Sequence, residues 1–289
     1  MNARTGRLIL AISLFAGLLI GFGAKAQQNV LPLSPGQIAD LLASPDRTEA
    51  DRNNDIRRKP ADMLAFIGIR PGIVAFDLSA AGGYTTELLA RSIGPAGTVY
   101  GQSRPRPEGQ TVARPAAPEG NSRPDLASVA AAPSGPKPSP AALAEREARL
   151  LAAGVAAAPI ITVVRPFEDP FPPDLAIARI DLVTLMFNYH DLGHMGIDRA
   201  AMNAAVFRAL KPGGIYAIAD HAGRPGTGIS ESGTLHRIEE VFLRAEVEAV
   251  GFSLAAEGDF LRNPDDPKDK NTPDPPQPKD EFVLKFVKP

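Results

Sequence analysis

The sequence predicts a doubly wound α/β protein, and three observations predict it. Residues 73–91 read IVAFDLSAAGGYTTELLAR, an apolar run ending in an acid, a turn of small residues, then an amphipathic helix. Beyond them, short β-branched runs alternate with segments whose apolar residues recur at helical spacing. One of those helices is stopped by Lys211-Pro212-Gly213-Gly214 directly before an apolar run, the junction expected between a helix and the next strand of a layered sheet.

Taken in order, residues 1–26 stand apart. Arg4 and Arg7 precede a charge-free run at 8–24, and Ala24-Lys25-Ala26 puts small residues three and one before a cut. That pattern predicts a secretory signal peptide removed before Gln27, hence a periplasmic protein without stable membrane insertion. The run of 17 residues approaches the length of a membrane span, so an uncleaved anchor is the alternative. The chain has no cysteine, which removes disulfides, thiolate nucleophiles and thiolate-bound metals. A net charge of −2 gives no electrostatic footprint for nucleic acid.

Residues 27–70 form a helical extension. Ser34 can cap a helix carrying Ile38, Leu41 and Leu42, the charge-dense stretch 46–58 reads as a solvated helical face, and Pro60 opens a helix with Met63, Leu64 and Ile67. The domain proper is 71–289. Its first strand holds Val74, Ala75 and Phe76 with Asp77 at the carboxyl end, and its first helix opens at Thr85 and Thr86. A second strand covers 97–101. Nine prolines then fall between Pro105 and Pro140, so about 103–139 reads as a disordered Pro/Ala-rich insertion. Helix returns at 140–151, followed by strands at 160–164 and 180–187, a helix at 197–210 and a strand at 215–220. A helix at 234–250, a strand at 251–254, a Pro- and Asp-rich loop at 263–279 and an alternating strand at 281–288 complete the pattern.

Asp77-Leu-Ser79-Ala-Ala81-Gly-Gly83 resembles motif I of the class I S-adenosylmethionine-dependent methyltransferases, usually Asp-x-Gly-x-Gly-x-Gly; here Ser79 and Ala81 replace two glycines and Gly83 matches. Leu-Lys-Pro-Gly-Gly before a strand and the terminal helix, Gly-Phe, strand, loop, strand order are similar to the same family. SPDRTEADRNNDIRRKPADMLAFIGI and HRIEEVFLRAEVEAVGF resemble a group of predicted exported bacterial methyltransferases. The resemblance implies a seven-stranded, mostly parallel sheet with helices on both faces and an antiparallel last strand. It implies S-adenosyl-L-methionine as cofactor, held by Asp77, Ser79, Ala81, Gly83, Asn188, Gln102 (where the family has a ribose-binding acid) and Glu168 near the adenine.

All four histidines lie in the second half. His190 follows one strand and Asp220-His221 the next, so these side chains converge with Asp77 and Asn188 on one sheet edge, where ligands of doubly wound proteins bind. His190, His221 and Asp220 are the candidate catalytic residues, an imidazole serving as base where the methyl acceptor carries a proton. His190, His194 and His221 also permit a metal-assisted hydrolase as an alternative, although Gly193 and Gly196 oppose the helix that would align the first two, and no resident metal is expected. A further alternative is a catalytically silent exported binding protein. A small-molecule substrate is expected; the acceptor and the oligomeric state are not encoded in any motif.

Overall fold

The computed structural model describes residues 30–105, 139–271 and 277–289. The expected signal peptide and nearly all of the expected insertion therefore lie outside the described residues, and residues 31–289 contain one compact unit.

Seven strands form one sheet in the order β3-β2-β1-β4-β5-β7-β6. β1 (Val74–Leu78), β2 (Thr98–Ser103), β3 (Ile160–Val164), β4 (Ile180–Met186) and β5 (Leu210–His221) run parallel, whereas β7 (Glu281–Val287) lies antiparallel between β5 and β6 (Ser253–Gly258). The helices are α1 (Pro35–Ala43), α2 (Glu49–Arg58), α3 (Pro60–Ile67), α4 (Tyr84–Ile93), α5 (Ser139–Ala152), α6 (Asp191–His194), α7 (Arg199–Ala209) and α8 (Glu240–Glu248). The expected mostly parallel, seven-stranded arrangement with an antiparallel last strand is the arrangement found.

Strand alternation divides the core. Phe76, Leu78, Val183, Leu185, Tyr216, Ile218, Phe282 and Leu284 belong to one buried layer, with Val206 of α7 and Leu243 of α8. Their neighbours Ala75, Leu182, Ala217, Ala219 and Val283 belong to the other, with Met63, Leu64, Leu89, Ile93 and Leu143. That second layer is rich in small residues, so its helices approach closely. A Cβ added at Gly101 would lie 2.6 Å from Leu143, a distance no packed interior accommodates without movement.

Local chemistry sets the helix starts. Ser34 and Gln37 form a reciprocal capping box on α1, Thr48 accepts from the Asp51 amide on α2, and Asp198 accepts from the Ala201 amide on α7. Lys59 in the left-handed region, followed by Pro60, separates α2 from α3.

Three expectations need correction. The helix read at 197–210 begins only at Arg199, after the Asp198 cap, and Lys211-Pro-Gly-Gly belongs to β5. There the β4 register shifts between Ile180 and Leu182, and Gly213 donates to Lys288 O at 2.8 Å. The helix read at 234–250 is shortened to α8, because residue 238 is captured in an isolated parallel bridge with Ala222. The charges of 46–58 are not merely a solvated face. Arg47, 5% exposed, pairs with Asp55 at 2.6 Å, and buried Asp51 receives Arg146 from α5 at 2.8 Å. Buried Glu87 of α4 accepts from Arg91, Arg146 and Arg149. Complete pairing is what makes such burial tolerable.

Candidate functional site

The β1–α4 turn lies at the carboxyl edge of the sheet. Ser79 and Ala81 hold φ of 63° and 47°, and Gly83 holds 76°. Left-handed backbone costs a non-glycine residue roughly 1–2 kcal/mol, so two residues sustain a conformation that glycine would adopt freely. The strain lies in a turn with one open point: a Cβ on Gly82 would meet nothing within 4 Å, and Ala81 is exposed. Gly83 is closed from behind, since a Cβ there would sit 2.7 Å from Leu143 and 2.8 Å from Arg146. The start of α4 has no side-chain cap, which leaves backbone donors at a helix N-terminus.

Asp77 is buried beneath this turn. Its carboxylate accepts from Thr86 Oγ1 at 2.6 Å and Thr184 Oγ1 at 2.8 Å. Burial pushes its pKa up to about 6, against the lowering by those hydroxyls. Gln102 is fully buried; its Oε1 accepts from the Ser79 amide at 2.9 Å and its Nε2 donates to Arg165 O at 2.7 Å. The amide thus ties the turn to the segment that follows β3. Ser79 Oγ donates to Asn188 Oδ1 at 2.7 Å, and Asn188 Nδ2 donates to Asp191 Oδ2 at 2.9 Å. Glu168 sits apart from this chain of bonds, with Oε1 3.4 Å from the Asp198 amide at the start of α7.

A cleft opens between α3, the start of α4 and the end of β4. Its walls include Met63, Leu64, Leu88, Met186 and Phe187, with Arg58 and Tyr84 at the polar margin. Arg57 and Arg58 of α2 stack over Phe187 at 5.0 and 4.4 Å, an arrangement favoured by the ring's negative face.

The histidines form a continuous array. Rings of His190 and His221 are 5.2 Å apart, His190 and His236 5.6 Å, and His194 and His236 5.7 Å. Asp220, wholly buried, accepts from the amides of His190 and His221, each at 2.7 Å, and meets His190 Nδ1 at 2.5 Å. Burial opposes a charge on His190, but Asp220 and Asp191 outweigh it and push its pKa up to about 10. His221 goes the other way: burial, with Lys279 and His190 nearby, holds it well below the ordinary value. Its Nδ1 is 3.0 Å from Glu281 Oε1 without the alignment of a hydrogen bond. His194 Nδ1 meets Ser232 Oγ at 3.0 Å.

The structure thus brings Ser79, Gln102 and Asn188 into one bonded set and His190, His221 and Asp220 into another. Asp191, which joins the two, and His236, turned toward it by a left-handed φ of 51°, are not among the site residues expected from sequence. The only available signal for Asp191 was its position directly after His190. The Gly-rich stretch 223–228 is tied down by Glu239, which accepts from the amides of Gly226 and Gly228 at 3.0 Å each.

Among the described residues no helix is long and apolar enough to cross a membrane. No protein-family model matches the sequence, and no curated protein matches it. Solved structures do. A SAM-dependent methyltransferase from Aquifex aeolicus is similar at 15% identity over 89% of this chain and 100% of its own, with a TM-score of 0.50. An arsenic(III) S-adenosylmethionine methyltransferase from Chlamydomonas reinhardtii is similar at 15% identity over 89% of this chain and 74% of its own, with a TM-score of 0.51. With strand order, the antiparallel β7 and these likenesses together, the chain has the class I S-adenosylmethionine-dependent methyltransferase fold.

Proposed function

We propose that the protein is an S-adenosyl-L-methionine-dependent methyltransferase acting on a small molecule. The observation that carries this reading is the strained turn: Ser79 and Ala81 hold left-handed backbone, at φ of 63° and 47°, between β1 and α4. Strain of that kind persists where surrounding structure and function demand it. The residues fit the methionine end of the cofactor, because the uncapped start of α4 suits a carboxylate and the cleft beside it offers an apolar wall. The ribose end has less to recommend it, since Gln102 already spends one end of its amide on the Ser79 amide and the other on Arg165 O.

When bound, the cofactor supplies an electrophilic methyl group. The chain's own residues then position the reactants, the main demand of a displacement. Asn188 ties the turn to the segment after β4, and Asp220 orients His190. Asp77 supports the turn from within, Ala81 and Gly83 shape it, and Glu168 is proposed to reach the adenine side. Of the two imidazoles proposed for proton transfer, His221 is the neutral one, whereas His190 already holds a proton at neutral pH. Export also belongs to this reading, with residues 1–26 removed and the mature chain beginning at Gln27.

Calorimetric titration of the protein with S-adenosylmethionine tests the proposal. Binding is expected for the protein itself and for Ala81→Gly, which relieves the strain, and is expected to vanish in Ala81→Leu, whose side chain fills the approach. Folded protein and folded Ala81→Gly that both fail to bind at about millimolar cofactor would replace this reading with a silent scaffold. The Ser79–Asn188 bond and the two arginines over Phe187, which close the edge, favour that second reading.

A further inference from the structure

We propose that His190, Asp191 and His236 form a binding site for a divalent transition-metal ion of the zinc class. One ligand atom from each lies within 4.8 Å of the others, and among the described residues this is the group with that property. His190 Nε2 is 3.1 Å and His236 Nδ1 2.8 Å from Asp191 Oδ1. Three donors around a tetrahedral zinc stand about 3.4 Å apart, so Asp191 Oδ1 needs to move only a few tenths of an ångström from each nitrogen, and the two nitrogens lie within 4.8 Å of each other.

A second observation points to a ligand. His190 Nε2 is fully buried and has no aligned hydrogen-bond partner, though it faces the carboxylate and the second imidazole. The ring's orientation is set from its other side, where Nδ1 meets Asp220 at 2.5 Å. A carboxylate behind a histidine in this way fixes the tautomer and raises the basicity of the free nitrogen toward a metal. Asp191 is prepared likewise: Oδ2 accepts from Asn188, which leaves Oδ1 toward the imidazoles. Two imidazoles and one carboxylate select first-row transition ions over magnesium or calcium.

The geometry departs from the His190, His194 and His221 set considered from sequence. His194 is held by Ser232, and His221 faces Glu281. Three protein donors leave at least one position open, and Asn188 links the ligand Asp191 to the strained turn.

The test uses untagged protein, stripped with a chelator and titrated with zinc by calorimetry and with cobalt(II) by visible absorption. One equivalent is expected to bind, with ligand-field bands for cobalt. His236→Ala and Asp191→Asn, both at incompletely buried positions, are each expected to weaken binding tenfold or more. Folded protein that binds neither ion stoichiometrically would overturn the proposal, as would binding unchanged in both variants. His236→Ala alone decides the matter if Asp191→Asn does not fold. No readout involves S-adenosylmethionine, so failure here is distinct from failure of the methyltransferase reading.

Discussion

Asp77 shows how one residue can look like a ligand contact and act as a support. The family resemblance implied a cofactor contact at Asp77; in the fold it is 2% exposed and held by Thr86 and Thr184. Its pKa rises from an ordinary 3.8 to about 6, so the native state holds the proton more tightly than the unfolded chain. The sign follows: this group's contribution is most favourable below pH about 4 and is lost as pH rises to about 6. The difference amounts to about 3 kcal/mol, at 1.36 kcal/mol per unit. Urea denaturation of Asp77→Asn beside the parent should show the variant gaining relative stability by about that amount between pH 4 and 7. A difference that stays flat across that range would mean that Asp77 is not desolvated. Ser79 carries the same lesson in the backbone, since nothing in its side chain announces a φ of 63°.

Among the elements, the connection from β5 to α8 depends on one buried ion pair. Arg237, 0% exposed, donates to Asp266 through both terminal nitrogens at 2.7 and 3.1 Å, and to Ala222 O and Lys270 O. Removing one member leaves an uncompensated buried charge, so Arg237→Met should destabilise by about 3–5 kcal/mol in chemical denaturation. A loss below about 1 kcal/mol, the worth of an exposed pair, would contradict the burial. Elements of this kind divide what sequence can reveal. β1, β4 and β5 were legible because an apolar run bounded by small residues has few other uses, and Ser34 and Pro60 announced their helices. The late start of α8 was not, because it depends on Ala222 pairing with Ile238. Nor were the buried charges of α2, whose partners Arg146 and Glu281 lie 95 and 224 residues away from the residues they meet. Periodicity reports which face is apolar; it is silent about a charge that burial and a distant partner neutralise together.

For the whole molecule, the doubly wound class and the converging edge followed from the alternation of elements and the antiparallel last strand from the family resemblance, while the bonded links across that edge did not. Glu281 is one such link. Opening β7, it lies opposite His221 in the sheet and accepts from Arg57 of α2 at 2.8 Å. Burial raises its pKa, and Arg57, Arg58 and Lys279 hold that rise in check. The same two arginines cover Phe187 at the mouth of the cleft. A ligand that displaces them on entry therefore strips charge from around a buried carboxyl group, and that carboxyl takes up a proton. Ligand capture and proton capture become one event, with apparent affinity rising as pH falls. Calorimetry in two buffers of different ionisation enthalpy would register the uptake as a buffer-dependent heat, and equal heats in both would show that the arginines stay in place while the cleft fills.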